Sequence, residues 1–426
     1  MRVLVVGGGG REHALVWRLA RDPGIDRILS APGNAGIAGL AECVAVRADD
    51  VPGIVDLVER ERVDLTVVGP EGPLVAGLAD ALDAAGRPVF GPTRAAARLE
   101  GSKSWARALC DRHGIPAARS RAVTSLPEGL DALEAFEPPY VVKADGLAAG
   151  KGVVIAEDRE RAGAALAAAL RDRAFGDAGA TVLIEEFLTG REVSAFALSD
   201  GRSVLPIGFA QDFKRVGDGD VGPNTGGMGA YSPVPFVDEA VAAAIVRDVL
   251  ERTVEAMAAE GTPYRGVVYA GLMLTDDGPK VLEFNARFGD PETQVVVPRL
   301  EADLAELLVA CADGTLGDHR AEVGPRACVT VVLASGGYPG DHATGVAIDG
   351  LGDAASVDGA LVFHAGTAER RGRVVTAGGR VLSVGALGDD LAQARTRAYE
   401  ACSRISFEGM HYRSDIAAEA AEEGMT

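Results

Sequence analysis

Residues 140–152 read Tyr-Val-Val-Lys-Ala-Asp-Gly-Leu-Ala-Ala-Gly-Lys-Gly, and this stretch constrains the fold more than any other. An apolar run delivers Lys143 into a loop with three glycines and a second lysine, Lys151, and another apolar run follows at 153–156. The pattern predicts a strand, a flexible basic loop and a second strand. Glycines let backbone N–H groups approach a polyphosphate closely, and lysines supply the matching charge. The loop is not a P-loop, because Gly152 stands where that motif needs Ser or Thr, and a strand follows where it needs a helix. Two readings fit these residues alone: a nucleotide-phosphate cradle, and a plain glycine-rich hairpin with surface lysines.

Length and charge narrow the classes. A chain of 426 residues has material for several domains, and 47% hydrophobic with 24% charged residues is ordinary for a globular protein. With 42 basic against 62 acidic side chains the formal charge is −20, which argues against nucleic-acid or membrane partners and requires any anion site to be local. Five cysteines without CxxC spacing suggest neither a disulfide framework nor a zinc site, as in a reducing cytoplasm. The N-terminus enters a short apolar strand directly, and no apolar run approaches the roughly 18 residues of a membrane span.

The first hundred residues alternate strands and helices. Residues 3–6 are continuously apolar, as in a strand buried on both faces of a parallel sheet, and Gly-Gly-Gly-Gly-Arg-Glu-His at 7–13 leads into a helix expected at 14–20. A strand, glycine turn and helix N-terminus make an anion site. Glu12 occupies the third glycine position of the dinucleotide fingerprint, so the turn favours a monophosphate over NAD and weakens any hydride-transfer reading. Turns at 32–36 and 70–74 lie at the C-terminal ends of two further expected strands, where open α/β sheets bind ligands. A boundary is expected near residue 101.

Beyond it, Ser102 is the expected N-cap of a helix to His113. Lys103 in its first turn opposes the helix dipole and points to an anionic partner. Residues 181–188 form an apolar strand ending in Glu185, Glu186, Phe187 and Leu188, a setting suited to an adenine ring, with Glu192 placed for ribose hydroxyls. Residues 211–232 carry little secondary-structure signal and many polar groups, which fits a long functional loop or a flexible surface one. A hairpin is expected around residues 276–278; on its second strand Glu283, Asn285 and Arg287 stand at i, i+2 and i+4 and share a face if the strand persists. Carboxylate and amide oxygens suit Mg²⁺, and a guanidinium suits a carboxylate or phosphoryl group, although a cross-strand ion-pair ladder is the alternative. Asp290-Pro291-Glu292 has the form of an N-cap, proline at N1 and an acidic first turn. From 326 onward strands alternate with glycine turns, a helix is expected at 390–402, His342, His364 and His411 read as isolated, and 417–426 reads as a frayed end.

Three motifs together resemble the ATP-grasp superfamily: the 143–152 loop, Ile-Glu-Glu-Phe-Leu at 184–188, and Leu-Glu-Phe-Asn-Ala-Arg-Phe-Gly-Asp-Pro-Glu-Thr at 282–293. The 7–13 motif and Pro-Asn-Thr-Gly-Gly-Met-Gly-Ala-Tyr-Ser at 223–232 are similar to the phosphoribosylamine–glycine ligase family of purine biosynthesis, strongly to about residue 300 and more weakly beyond. The resemblance implies an α/β protein in three parts: an N-terminal parallel-sheet domain at 1–101, a central ATP-grasp α+β domain at 102–325 with a mobile nucleotide lid at about 123–190, and a small C-terminal α/β domain at 326–426 that completes the cleft. It implies that ATP phosphates meet Lys103, Lys143, Gly146, Ala149, Gly150, Lys151 and Gly152. Adenosine would meet Glu185, Glu186, Phe187, Leu188 and Glu192, and Lys214 and Asn224 would complete the nucleotide site. Mg²⁺ or Mn²⁺ would sit on Glu283 and Asn285, with phosphate and water completing the shell, since no acidic residue stands at 267–274. Substrate contacts would come from Gly8, Gly9, Gly10, Arg11, Glu12, Asn34, Pro70, Glu71, Thr225, Gly226, Gly227, Met228, Arg287 and Asp290, and catalysis from Arg287, Lys143 and Asp212. The implied reaction joins glycine to 5-phosphoribosylamine through glycyl phosphate, in a cytoplasmic monomer. The alternatives are another ATP-grasp carboxylate–amine ligase and an inactive nucleotide-binding module.

Overall fold

The computed structural model describes residues 1–147 and 152–423. Its first sheet is built from β1 (Arg2–Gly7), β2 (Arg27–Pro32), β3 (Glu42–Cys43), β4 (Leu65–Val68) and β5 (Val89–Phe90), all parallel, in the order β3-β2-β1-β4-β5. Val3, Leu4, Val5 and Val6 are fully buried, as a central parallel strand covered on both faces requires. Strand order reverses at β1, so the turns after β1, β2 and β4 gather at one edge. The helix after β1 is Gly10–Leu19 and starts four residues before the sequence expectation. Glu12 causes the early start: its Oε2 accepts the Gly9 N–H at 2.5 Å, closing the first turn over glycines that otherwise disfavour a helix.

A second, antiparallel sheet holds β6 (Ser120–Val123), β7 (Tyr140–Ala144), β8 (Val153–Ala156) and β9 (Val182–Glu186) in the order β6-β9-β7-β8. It has its own small core, in which Tyr140, Val142, Val182 and Ile184 pack against Leu133, Phe136 and Leu166. The strand-loop-strand reading of 140–156 is correct for the described strands, while Ala149, Gly150 and Lys151 lie outside the described residues.

The largest sheet begins with β10 (Arg191–Asp200) and β11 (Val204–Asp212), followed by a separate hairpin, β12 (Arg215–Gly217) with β13 (Val221–Asn224). It continues through β14 (Gly229–Ser232), β15 (Arg265–Thr275), β16 (Gly278–Asn285), β17 (Ala327–Ala334) and β18 (Ala360–His364). A further hairpin, β19 (Thr367–Arg370) with β20 (Arg373–Thr376), precedes the last strand, β21 (Arg380–Gly388). The eight-stranded order is β16-β15-β10-β11-β14-β17-β21-β18. Residues 211–232 therefore carry strands where the sequence predicts a loop: 211–212 end β11, 215–224 form the β12–β13 hairpin, and on β14 Tyr231 faces Gln211 on β11 and Val329 on β17. Polar, glycine-rich composition concealed these strands, because their register is fixed by neighbours distant in sequence. Pairing of β14 with β17 makes the C-terminal strands an extension of the central sheet.

Three further expectations are corrected. Helix Thr293–Val296 starts after Glu292, and Asp290 does not cap it: its carboxylate meets Gln294 Nε2 at 2.8 Å and Arg380 Nη2 at 3.0 Å. His364 is not isolated, since its N–H donates to His13 Nδ1 at 2.8 Å. The chain end is not frayed through 423, because helix Ala418–Glu423 buries Ala420 and Ala421.

Candidate active site

The three sheets enclose one cavity of about 620 Å³, within the range of small-molecule sites. One wall is β16 and the loop after it. The strand ends at Asn285, yet alternation continues: Ala286 and Phe288 are buried in the core and Glu283, Asn285 and Arg287 line the cavity, with the buried Phe284 also at its edge. The shared face read from the sequence is thus present, and the strand's end does not break it.

Arg287 is held between two carboxylates, with Nε 3.2 Å from Glu71 and Nη2 3.1 Å from Glu100. Glu100 also accepts the Ala286 N–H at 2.7 Å, so the same carboxylate fixes both the loop and the guanidinium. Burial raises the Glu100 pKa, with Arg287 opposing. Burial alone would lower Arg287, but Glu100 and Glu71 outweigh it and keep the guanidinium charged.

Lys103, Arg107 and Lys214 also line the cavity, whereas Lys143 does not. Lys143 on β7 meets Glu185 at 2.7 Å and the Leu282 carbonyl at 3.1 Å. Arg107 grips the same Glu185 at 2.7 and 3.2 Å and the same carbonyl at 2.7 Å. Burial would raise Glu185, but Lys143 and Arg107 hold it below the ordinary carboxylate range. The Lys103 ammonium donates to the Gly146 carbonyl at 3.1 Å, and burial lowers its pKa. Lys214 reaches Glu192 at 2.8 Å and Asp212 at 3.7 Å. Burial is the largest influence on Glu283, pushing it up, yet Lys214, Lys143, Lys103 and Arg287 outweigh burial and keep it ionised. Asp212 behaves oppositely: burial, with Glu292, Glu192 and Glu283 nearby, pushes it up to about 7 despite Lys214.

Arg11, Pro70, Glu71, Lys103, Gly152, Glu185, Asp212, Lys214, Asn224, Thr225, Gly226, Glu283, Asn285, Arg287 and Asp290, each expected from the sequence, line this single cavity. Others are committed elsewhere. Glu12 holds Gly9 N and Arg11 Nε, and Gly10 is buried against Gln294. Asn34 spends its amide on the carbonyls of Gly8 and His364 and on the N–H groups of Gly36 and Ile37. Met228 is fully buried, and Glu186 accepts the Arg119 N–H at 2.9 Å. Gly227, at φ +107, sits where a Cβ would lie 2.4 Å from Pro291, so it shapes the turn. Phe187 is 40% exposed, and neither it, Leu188, Gly8 nor Gly146 lines the cavity.

Sequence reading missed Glu100, Arg107, Tyr338 and Arg380. Arg107 stands at i+4 from Lys103 on one helix face, a spacing that could have revealed it. Tyr338 and Arg380 carried no local signal; they close the cavity from the C-terminal region, Tyr338 Oη accepting Gly226 N–H at 3.1 Å and Arg380 Nη1 donating to the Asp290 carbonyl at 2.7 Å.

Among the described residues no group of three His, Cys, Asp or Glu could hold a metal unaided. Glu283 and Asn285 nevertheless offer oxygen donors of the kind Mg²⁺ accepts, with Glu283 kept ionised by its neighbours.

A small antiparallel sheet, a large antiparallel sheet and a parallel N-terminal sheet around one cavity lined by Lys103 and Lys214 define an ATP-grasp protein. Biotin carboxylase structures share this fold: that of the Hydrogenobacter thermophilus 2-oxoglutarate carboxylase superimposes with TM-score 0.74 at 16% identity, over 96% of this chain and 91% of the other. The chain belongs to the phosphoribosylglycinamide synthetase family, whose N domain matches residues 1–100, ATP-grasp (A) domain 101–293 and C domain 328–419. It is 53% identical to the phosphoribosylamine–glycine ligase of Streptomyces coelicolor, over 99% of this chain and 100% of the relative, and 51% identical to that of Allochromatium vinosum, over 98% of each. The phosphoribosylamine–glycine ligase structure of Thermotoga maritima superimposes with TM-score 0.86 at 35% identity, over 98% of this chain and all of the other.

Proposed function

We propose that this protein is an ATP-dependent ligase that joins glycine to 5-phosphoribosylamine in purine biosynthesis, giving glycinamide ribonucleotide, ADP and phosphate. One observation supports the reading beyond family membership: Arg287, fixed by Glu71 and Glu100, lines one cavity with Lys103 and Lys214, so a carboxylate and a triphosphate can be held in contact.

In this account a glycine carboxylate oxygen, oriented by Arg287, attacks the γ-phosphorus of ATP. The bond to the bridging oxygen breaks, and its electron pair leaves with ADP. The amine of phosphoribosylamine then attacks the acyl carbon, the carbon–oxygen bond to phosphate breaks, and the surplus amine proton passes to a base. Asp212, poised near neutrality, is suited to receive that proton. No enzyme nucleophile takes part, so the protein's contribution is positioning, worth about 7–11 kcal/mol in favourable cases, together with charge neutralisation. Glu283 and Asn285 would hold Mg²⁺ or Mn²⁺, which when bound neutralises charge on the phosphate oxygens. The amine substrate's phosphate is assigned to the N-terminus of helix Gly10–Leu19 beside Arg11.

The working division is 1–101, 102–325 and 326–426, with 123–190 as a lid over the nucleotide. The protein is read as a cytoplasmic monomer, and no described helix is long and apolar enough to cross a membrane. Glycine labelled with heavy oxygen in its carboxylate tests the intermediate. Label appearing in released phosphate supports glycyl phosphate; phosphate free of label overturns it.

A further inference from the structure

Arg413 is one of the largest fully buried side chains, 1% exposed, and it belongs to none of the motifs above. It lies in the segment 411–415, which follows helix Leu391–Arg404 and packs on the β12–β13 hairpin. Arg413 Nη1 donates to Asp220 Oδ1 at 2.6 Å and to the Arg215 carbonyl at 3.1 Å. Nε and Nη2 meet the two oxygens of Asp415 at 2.7 and 2.6 Å, and the guanidinium stacks 4.9 Å from the Phe213 ring centre. Neighbours add to the grip: Ser414 N–H donates to Asp218 at 2.8 Å, Gly219 N–H to Asp415 at 2.8 Å, and His411 Nε2 to the Val216 carbonyl at 2.9 Å.

The hairpin has little else to hold it. It pairs with no third strand among the described residues, none of its residues is fully buried, and Val221 is 61% exposed. Two-stranded hairpins are marginal in water by themselves. Yet the hairpin's base is part of the active cavity: Lys214 precedes β12, Asn224 ends β13, and Thr225 N–H donates to the Lys214 carbonyl at 2.7 Å. Moving the hairpin moves Lys214 and Asn224 together.

We propose that Arg413 is a positioning residue that holds the hairpin so that Lys214 and Asn224 face the nucleotide, although it touches no substrate. The inference rests on reading the cavity as an ATP site. It predicts selectivity, because Arg287 takes its ion pairs from Glu71 and Glu100, and neither is on the hairpin.

The test compares full-length wild type, Arg413→Met, Arg413→Lys and Asp220→Asn. Asp220 is exposed and has φ 55°, which asparagine tolerates, so this variant keeps the fold if Arg413→Met does not. ATP affinity is read by calorimetry with Mg²⁺, glycine by its KM, and hairpin order by hydrogen exchange over 215–224. If the competent hairpin falls to about a tenth of the population, ATP affinity falls about tenfold. Glycine KM stays unchanged, exchange over 215–224 quickens, Arg413→Lys recovers part of the affinity, and Asp220→Asn shows a smaller loss of the same kind. Wild-type ATP affinity in folded variants, or parallel loss of ATP and glycine binding, overturns the inference. A wild-type protein that binds no ATP overturns the nucleotide reading beneath it, while exchange still decides whether Arg413 orders the hairpin.

Discussion

Acid should loosen the junction between the N-terminal and C-terminal regions, and two histidines set how much. His13 and His364 are 5% and 8% exposed, with ring centres 5.6 Å apart. His13 Nδ1 accepts the His364 N–H, and the His364 carbonyl accepts from Asn34, which also holds Gly8. Burial, then the proximity of His364, pushes His13 down to about 3, and burial pushes His364 down to about 4, from 6.5. Both therefore stay neutral in the folded protein at pH 5, while the unfolded chain takes up a proton at each. This contribution is absent above pH 6.5 and destabilises progressively as pH falls from there towards the folded pKa values. At about 1.4 kcal/mol per pH unit, pH 5 costs about 2 kcal/mol per histidine and about 4 kcal/mol for the pair. His13→Asn keeps an acceptor for the His364 N–H and removes one titration. Urea unfolding can be followed by Trp17, which lies 5.9 Å from Phe363 at this junction. Between pH 7.5 and 5 the wild type should lose about 2 kcal/mol more than the variant. Equal losses would refute the buried-neutral assignment of His13. Because Asn34 ties the Gly8 turn to His364, KM for the amine substrate should also rise more steeply with acid in the wild type.

Three substitutions address the cavity directly. Arg287→Met should lower kcat by about 10²–10³-fold with little change in ATP affinity, measured by steady-state kinetics and calorimetry; normal turnover would remove Arg287 from the chemistry. Among the described residues Arg107→Met leaves Lys143 as the one cation paired with Glu185, so ATP KM should rise about tenfold, with a lower melting temperature from the weakened buried network. Glu283→Gln should raise the Mg²⁺ concentration for half-maximal rate by about tenfold or more at saturating ATP, and an unchanged Mg²⁺ requirement would exclude Glu283 as a ligand.

Local pattern made the N-terminal sheet legible, because Val3 to Val6 is an uninterrupted apolar run and 65–68 an apolar run broken at Thr66, each followed by a glycine or proline turn. The alternation through Glu283, Asn285 and Arg287 likewise exposed one wall of the site. What stayed hidden depends on distant partners. Residues 211–232 look like a loop until β17, about a hundred residues later, supplies a ladder for β14. Asp290 looks like a helix cap until Arg380, ninety residues on, competes for its carboxylate. Glu100, Tyr338 and Arg380 are single polar residues with no motif around them, and only the folded cavity shows their use. Asn34, Glu12 and Met228 show the converse: residues within a recognisable motif can serve its framework.

The most direct measurement is ADP release with Mg²⁺, ATP, glycine and freshly generated phosphoribosylamine, omitting each component in turn. The account predicts release only when all are present, with glycinamide ribonucleotide formed in equal amount. ATP binding without turnover under the complete mixture would contradict it and leave the cavity a nucleotide site without this reaction.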